Sequence, residues 1–241
     1  MANWREPQTL KDDYARLGAS KRQCSDLRRQ GMLVRNRGAE PVIDPSAFVA
    51  PTAVLVGRVS VGPEARIMYG SVLDSEASKV EVGATAIVCE NSVLRATSVG
   101  GAELPVVVGD HAFVGPHATL LGCVVEPACY LATGATVLQG ATVGSGAVVA
   151  VGALVHANTK VPSEFFVPPN TIAVGDPLRV YAPGDEGLPE AIRSANFAQT
   201  AFGVKTAWEE RIQRYRDTAE VRAEEFGSHL DDTVLDDGSG S

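Results

Sequence analysis

Residues 125–161 read VEPACY-LATGAT-VLQGAT-VGSGAV-VAVGAL-VHANTK-V, with an aliphatic residue at the start of every six-residue block. The residue two places before each aliphatic residue is small, as Cys129 is before Leu131 and Ala135 is before Val137. A period of six is neither the 3.6-residue period of a helix nor the two-residue period of a simple strand. It indicates a solenoid in which each unit supplies one short strand and one turn.

The same period runs through most of the chain and breaks only twice before residue 121. Its earlier aliphatic positions are Ile43, Val49, Leu55, Val61, Ile67 and Leu73, then Val82, Val88 and Leu94, then Val108, Val114 and Leu120. Three units close one triangular coil, and the coils stack through parallel backbone hydrogen bonds. The spacing therefore predicts an all-β core, a parallel β-helix over residues 41–180. A β-sandwich would instead show strict alternation between turns.

Composition outside the repeat predicts short helices at both ends. In residues 1–40, Thr9 with Asp12 and Ser20 with Gln23 resemble helix caps, which predicts two short N-terminal helices. Residues 186–227 are rich in helix formers, and Gly203 is expected to separate two C-terminal helices. The second of these carries an apolar stripe, expected to pack on the prism or across a subunit boundary: Trp208, Ile212, Tyr215 and Val221. Residues 228–241 are acidic and are expected to be disordered.

Charge and composition exclude several classes of function. The 241 residues carry 29 acidic and 21 basic side chains, which gives no basic surface for nucleic acid or for a membrane. No apolar run reaches transmembrane length, and the start of the chain does not resemble a signal peptide. The four cysteines have no CxxC spacing and are predicted to be reduced thiols in a cytoplasmic protein: Cys24, Cys89, Cys123 and Cys129.

The two breaks in the repeat are the predicted positions of a functional site. Residues 74–79 form a polar segment and residues 96–105 a glycine-rich one, and both are expected to be loops that protrude from the rigid solenoid. A single prism has sticky outer faces and cannot form a closed pocket with its loops alone. We therefore expect a homotrimer with sites at the subunit boundaries. A heterotrimer with a paralogous subunit is an open alternative.

Several motifs resemble the gamma-class carbonic anhydrase-like branch of the hexapeptide-repeat superfamily. They are Ala65-Arg-Ile-Met-Tyr-Gly-Ser-Val-Leu73, Glu90-Asn-Ser-Val-Leu94, Val108-Gly-Asp-His-Ala-Phe-Val-Gly115, Leu120-Leu-Gly-Cys123 and Gly175-Asp-Pro177. The resemblance implies a left-handed β-helix and C-terminal helices. In zinc-bearing members it also implies three histidines from two subunits, at the positions of Arg95, Pro116 and Leu121. None of these residues can bind a metal, so we predict no metal site and no carbonic anhydrase activity.

Arg95 is the residue of this group with the clearest chemistry. A guanidinium near a subunit boundary is suited to bidentate binding of a carboxylate, phosphate or bicarbonate. The alternative is a structural salt bridge to Asp74, Glu76 or Glu90. The candidate catalytic residues are His117, Glu90, Asp74 and Glu76, and the candidate substrate-binding residues are Arg95 and His111. A metal site rebuilt from His111, His117, Cys89 or Glu90 is a weaker alternative.

Three functions are compatible with these residues. The first is a non-catalytic, metal-free trimer with a structural role and no cofactor. The second is a divergent enzyme that binds a small anion at Arg95 and uses the nearby acids or His117 for proton transfer. The third is an acyltransferase that uses acyl-CoA, with His117 or His111 as base and CoA along Ala147–Val161, as the resemblance suggests.

Overall fold

The computed structural model describes residues 31–235, which form a left-handed parallel β-helix of about eight turns followed by helices. The three faces of the prism are three parallel sheets, and the chain visits them in turn. The first face contains β1 (Met32–Arg35), β4 (Val54–Val56), β7 (Val72–Asp74), β10 (Val93–Arg95), β15 (Thr119–Leu121), β18 (Thr136–Val137), β21 (Leu154–Val155) and β24 (Ile172–Val174). This confirms the fold predicted from the six-residue period.

The other two faces are built from seven short strands each. The second face contains β2 (Val42–Ile43), β5 (Val59–Val61), β8 (Val80–Val82), β13 (Val106–Val108), β16 (Val124–Val125), β19 (Thr142–Val143) and β22 (Lys160–Val161). The third face contains β3 (Phe48–Val49), β6 (Arg66–Ile67), β9 (Ile87–Val88), β14 (Phe113–Val114), β17 (Tyr130–Leu131), β20 (Val148–Val149) and β23 (Phe166–Val167). We call the turns from face one to two, two to three and three to one the first, second and third corners.

The repeated aliphatic residues form the core of the prism. Leu94 is in register with Leu73 on one side and Leu120 on the other, and all three are fully buried. The residues two places earlier are also inside, and the polar ones among them satisfy their hydroxyls. Ser92 is fully buried, and its Oγ donates to the Gly115 carbonyl at 3.0 Å. Each buried methylene removed from water contributes about 0.8 kcal/mol, so this continuous column accounts for the rigidity of the fold.

The cysteines that precede core positions behave as small apolar residues, as predicted. Cys123 and Cys129 are buried, and Cys89 is buried at the third corner; none of the three forms a disulfide within the described chain. Burial raises the pKa of the Cys123 thiol to about 12, so this thiol is unreactive at neutral pH. Cys24 lies outside the described residues.

The corners place backbone segments of successive coils very close together. At Gly109, on the second corner, an added Cβ would lie 2.5 Å from the backbone nitrogen of Pro127. Backbone on the next coil cannot move away without breaking the stack. This is why glycine fits at position 109, although the equivalent position of the next coil holds Glu126.

The residues after the solenoid form three helices, where two were expected. They are α1 (Leu188–Ser194), α2 (Phe197–Phe202) and α3 (Arg211–Phe226), followed by a 3-10 helix (Gly227–Asp231). Asn196 has a left-handed backbone, which separates α1 from α2, and Gly203 ends α2 as predicted. Two strands outside the parallel faces, β25 (Arg179–Tyr181) and β26 (Thr233–Val234), pair antiparallel with β24 and β1.

Four segments have a structure that differs from the one expected from the sequence. Strand β1 belongs to the solenoid, so the described part of the segment 1–40 is a strand and not a helix; the helices predicted near Thr9 and Ser20 lie outside the described residues. Residues 228–235 are ordered as the 3-10 helix and β26, not disordered. The segment 96–105 is a hairpin of β11 (Thr97–Val99) and β12 (Ala102–Leu104). The segment 74–79 is a tight corner whose polar residues are largely buried.

Candidate functional site

The first corner of the solenoid concentrates buried polar groups in a way that the rest of the prism does not. Asp74 at the end of β7 is 5% exposed, and Glu76 in the turn that follows is 7% exposed. Arg95 ends the next strand, β10, and its backbone is in register with that of Asp74. The structure thus brings together three of the six candidate site residues predicted from the sequence.

The conformation of this corner is set by its own short side chains. The Asp74 Oδ1 accepts a hydrogen bond from the Glu76 amide at 2.9 Å, and the Ser75 Oγ accepts one from the Arg58 amide at 2.8 Å. Aspartate and serine favour such turns because their side chains satisfy nearby backbone donors. Glu76 has a left-handed backbone, with φ of 42°, and this turns its carboxylate back against the prism.

Two arginines approach the Glu76 carboxylate from different parts of the chain. Arg222 on α3 binds it with both terminal nitrogens, Nη2 at 2.7 Å from Oε1 and Nη1 at 3.0 Å from Oε2. The Nε of Arg95 lies 3.4 Å from Glu76 Oε1 and 3.8 Å from Asp74 Oδ2. The Arg222 pair has bidentate geometry and is the stronger of the two. Within the described chain, the buried Nε of Arg95 has no hydrogen-bond partner.

The segment after α3 adds a second layer to the cluster. The guanidinium carbons of Arg222 and Arg95 lie 4.2 Å and 5.4 Å from the centre of the Phe226 ring. His229 places Nε2 at 3.6 Å from Asp74 Oδ2 and Nδ1 at 2.9 Å from Asp232 Oδ2. Asp232 Oδ1 also accepts a hydrogen bond from the side-chain Nδ2 of Asn36 at 2.7 Å. The corner is therefore enclosed by α3 and the 3-10 helix.

Burial governs the protonation of the acids in this cluster. Burial raises the pKa of Asp74 above its ordinary value, assisted by the neighbouring Glu76 charge and opposed by the backbone hydrogen bond, His229 and Arg95. Burial also raises the pKa of Glu225, although Arg222 opposes this. For Arg222, burial alone would lower the pKa, but hydrogen bonds and charge from Glu76 outweigh it and the pKa rises. The cluster is a paired network of charges and not an isolated cation.

Of the three positions at which the sequence resemblance implies zinc ligands, two lie at this corner and one lies at the third corner. The three positions at which the sequence resemblance implies histidine ligands hold Arg95, Pro116 and Leu121, and Arg95 and Leu121 are in register on adjacent strands. A guanidinium, a pyrrolidine ring and an isobutyl group offer no donor to zinc. Across residues 31–235, no group of three or more His, Cys, Asp or Glu side chains is arranged to hold a metal.

The other three predicted site residues lie at different corners. His117 and Glu90 are at the third corner, where the His117 amide donates to the Glu90 carbonyl at 2.9 Å. His111 is at the second corner, and both histidines are exposed turn residues with φ of 58°. Within one chain the fold therefore does not place His111, His117 or Glu90 beside Arg95.

The residues of α3 and the 3-10 helix that complete the cluster were not predicted from the sequence. Two residues of the expected apolar stripe, Ile212 and Tyr215, do not pack on the prism, since they are 74% and 63% exposed. Packing of the stripe across a subunit boundary stays a prediction. The docked residues are Arg222 and Phe226, which share a helix face at a spacing of four. The spacing of Arg222 and Phe226 could have predicted the docked face of α3. It was not used, because an apolar stripe is identified from apolar residues alone.

A second concave region lies at the late coils. A polar cleft of about 620 Å³ separates the last turns of the solenoid from α1 and α2, and it is lined by Asn158, Asp176, Ser194, Asn196, Gln199 and Thr200, among others. The Asn158 amide donates to Thr200 Oγ1 at 2.7 Å, which closes one side of the cleft. Nearby, His156 is buried against Phe197, and its burial lowers the pKa of the imidazole.

Comparison with solved structures agrees with this fold. The structure of a hexapeptide transferase family protein from Anaplasma phagocytophilum is similar, with a TM-score of 0.52 and 23% identity, over 81% of this chain and 99% of the other. No family model matches the chain. None of the described helices has the length and apolar character needed to span a membrane.

Among curated sequences, the chain is similar to gamma carbonic anhydrases. Gamma carbonic anhydrase 3, mitochondrial, of Arabidopsis thaliana is 39% identical over 112 residues, which cover 46% of this chain and 43% of that protein. Gamma carbonic anhydrase 2, mitochondrial, of the same plant is 36% identical over 149 residues, or 61% of this chain and 54% of that protein. The chain spans about half the length of the curated relatives it matches.

Proposed function

We propose that this chain is a gamma carbonic anhydrase-like, non-catalytic protein whose first corner is held by ion pairs where zinc-bearing members hold a metal, and that it serves as a structural or assembly subunit. The observation that carries this proposal is the pairing of Arg95 with Leu121 on neighbouring strands, with Arg95 placed between Asp74, Glu76 and the ring of Phe226. An arginine that lies between two carboxylates stabilises the corner through their charges, and those carboxylates compete with an anionic substrate for the same cation.

The assembly proposed here is a homotrimer. The third face of the prism supports it, because that face presents an apolar ladder to solvent. Tyr130 is 48% and Phe166 is 54% exposed, and Tyr130 stacks on Phe113 with a ring separation of 5.1 Å. Contiguous exposed aromatic residues mark interaction surfaces. A particle mass of three chains of 25.2 kDa is expected by light scattering, and a Phe166→Glu change should lower it. A monomeric wild type would remove this part of the proposal.

A hydration assay tests the proposed lack of catalysis. Purified protein, assayed for CO2 hydration with and without added zinc, should give the rate of buffer alone. A zinc-dependent rate that survives removal of free metal would contradict the proposal. The triple variant Arg95→His, Pro116→His, Leu121→His is the matched comparison, because it restores the ligand types that the resemblance implies.

The second candidate is a divergent enzyme that binds a small anion at Arg95. The buried Nε–H of Arg95 has no hydrogen-bond acceptor among the described residues, and this favours the second candidate. An oxygen atom of a bound anion would supply that acceptor. In a trimer, His117, Glu90 and His111 could reach this corner only from a neighbouring subunit. Titration of bicarbonate or phosphate against wild type and an Arg95→Ala variant tests it, and equal binding by both proteins would reject it.

The third candidate is an acyl-CoA-dependent acyltransferase. It is supported by the polar cleft beside Asn158, which lies on the segment Ala147–Val161 predicted to carry CoA, and by the similarity in fold to a hexapeptide transferase family protein. A thermal-shift titration with acetyl-CoA separates it from the other two. A shift that saturates in wild type and disappears on Asn158→Ala would favour it, and no shift would reject it. The cytoplasmic location stays a prediction.

A further inference from the structure

The C-terminal strap, which we define as residues 211–235, docks on the solenoid through polar contacts. None of the sixteen residues of α3 is fully buried, and the apolar side chains of Ile212 and Tyr215 face solvent. A helix that contributes little apolar area gains little from the hydrophobic effect when it docks. Its attachment therefore depends on the few ion pairs and hydrogen bonds that it makes.

These contacts fall at two points of the solenoid. At the first corner, Arg222 makes the bidentate pair with Glu76, and both side chains are largely buried, at 16% and 6% exposed. At the start of the solenoid, β26 pairs with the edge of β1, the Leu235 amide donates to the Leu33 carbonyl at 2.8 Å, and Asn36 donates to Asp232. The strap is therefore held near its middle, at Arg222, and at its C-terminal end, at β26.

Glu76 has two arginines within reach and satisfies only one of them. Its Oε1 lies 2.7 Å from Arg222 Nη2 and 3.4 Å from Arg95 Nε. Arg222 takes the well-aligned bonds, so Arg95 is left with a buried N–H that has no acceptor among the described residues. If Arg222 leaves, the Arg95 Nε–H needs only a small shift and reorientation to hydrogen-bond to the same carboxylate, because its nitrogen already lies 3.4 Å from Oε1. Glu76 therefore keeps a cationic partner while the strap leaves, which lowers the free-energy cost of opening.

We propose that the strap opens and closes as one unit without unfolding of the solenoid, with Glu76 exchanging Arg222 for Arg95 as its partner. In the closed state the strap covers Asp74, Glu76 and Arg95 and caps the edge of β1. In the open state the corner and the edge are exposed to solvent. The strap thus regulates access to the corner, and this regulation holds whether the corner is structural or binds an anion.

Hydrogen–deuterium exchange tests the opening of the strap. Amides of β26 and α3 should exchange faster than those of β7 and β10 in wild type, because the strap opens locally. Arg222→Gln should accelerate exchange in the strap by about 10- to 100-fold, the effect of losing hydrogen bonds between charged groups. Exchange in β7 and β10 should not change. Arg216→Gln is the matched control, since Arg216 is exposed on the same helix.

Two results would overturn the opening. One is equal exchange of strap and solenoid in wild type, which would mean that the strap opens only with global unfolding. The other is unchanged exchange in the strap of the Arg222→Gln variant, which would mean that this pair does not hold it.

A double-mutant cycle tests the exchange of partners. The denaturation midpoint of the solenoid should fall more when Arg95→Gln is added to Arg222→Gln than when it is added to wild type. The reason is that Arg95 is the remaining partner of Glu76 once Arg222 is gone. Additive shifts would show that the two arginines act independently and would reject the exchange. Both readouts are separate from metal content and hydration rate, so the strap and the proposed function can fail independently.

Discussion

The inside of the prism and its first corner are stabilised in opposite ways. Inside, Leu73, Leu94 and Leu120 repeat the same contact on every coil, and any one coil resembles the next. At the corner, Glu76 depends on a particular arginine 146 residues away in sequence. The repeated core sets the fold, while the corner depends on individual side chains. The difference indicates where this molecule tolerates change and where a single substitution alters its behaviour.

The largest expected effect comes from breaking the repeated core. Leu94→Ala leaves a cavity between two rigid neighbouring coils that cannot collapse, so it should destabilise the protein by about 3 kcal/mol. Val93→Ala is the matched control, because Val93 is adjacent but half-buried on the outer face. Its cost should be below about 1 kcal/mol. Denaturant unfolding followed by circular dichroism measures both, and equal costs would contradict the inward and outward assignment.

A smaller effect is expected when the corner loses its central acid. Glu76→Gln removes the negative charge beside both arginines and leaves one acceptor oxygen in place of two, which should cost about 2 kcal/mol. The cost is less than for a fully buried pair, because Arg95 is 36% exposed. Glu90→Gln at the third corner is the control, since the Glu90 contact given above is made by its backbone. A larger loss of stability from Glu90→Gln than from Glu76→Gln would show that the third corner, and not the first, depends on its acid.

Asp74 should make the stability of the first corner depend on pH. Burial raises the pKa of Asp74 in the folded state above 3.8, so the unfolded state releases this proton more readily. The stability that Asp74 contributes is therefore full below its ordinary pKa and is lost as the pH rises through the folded pKa. The free energy of unfolding of wild type should fall relative to that of an Asp74→Asn variant as the pH rises from about 4 to 7. Parallel curves would contradict the burial of the carboxyl.

The smallest effect on stability is expected from His156, and its dependence on pH has the opposite sign to that of Asp74. Burial lowers the pKa of this imidazole below 6.5 in the folded state, so the unfolded state takes up the proton first. The stability it contributes is present above the ordinary pKa and is lost as the pH falls towards the folded value. A His156→Gln variant should lose less stability than wild type between about pH 7 and 5. A steeper loss in the variant would show that His156 is charged in the fold.

The fold could be predicted because its information repeats. A small residue two places before an aliphatic one, such as Cys129 before Leu131, occurs in unit after unit of the chain. Each occurrence supports the six-residue period independently, and together they favour the β-helix over other folds. Strand β1 was missed because Leu33 lies ten residues before Ile43, so it is out of phase with the six-residue period. It pairs with β4 all the same, since the register is set by the neighbouring strand.

The candidate site could be predicted only in part. Asp74 and Glu76 were found because a polar segment interrupts the repeat, and Arg95 was found because the family resemblance implies a zinc ligand at its position. Arg222 and His229 could not be found in this way, because their partners are distant in sequence and no local pattern joins them. The roles proposed for His111, His117 and Glu90 depend on a neighbouring subunit and stay predictions.

The proposal that ion pairs hold the first corner in place of a metal can be tested by the metal content per chain of protein purified without chelators and without a metal-binding tag. We expect zinc, iron and cobalt far below one ion per chain in a folded protein. Near-stoichiometric metal that is lost on substitution of His111, His117, Cys89 or Glu90 would contradict it and would show a metal site built from other ligands.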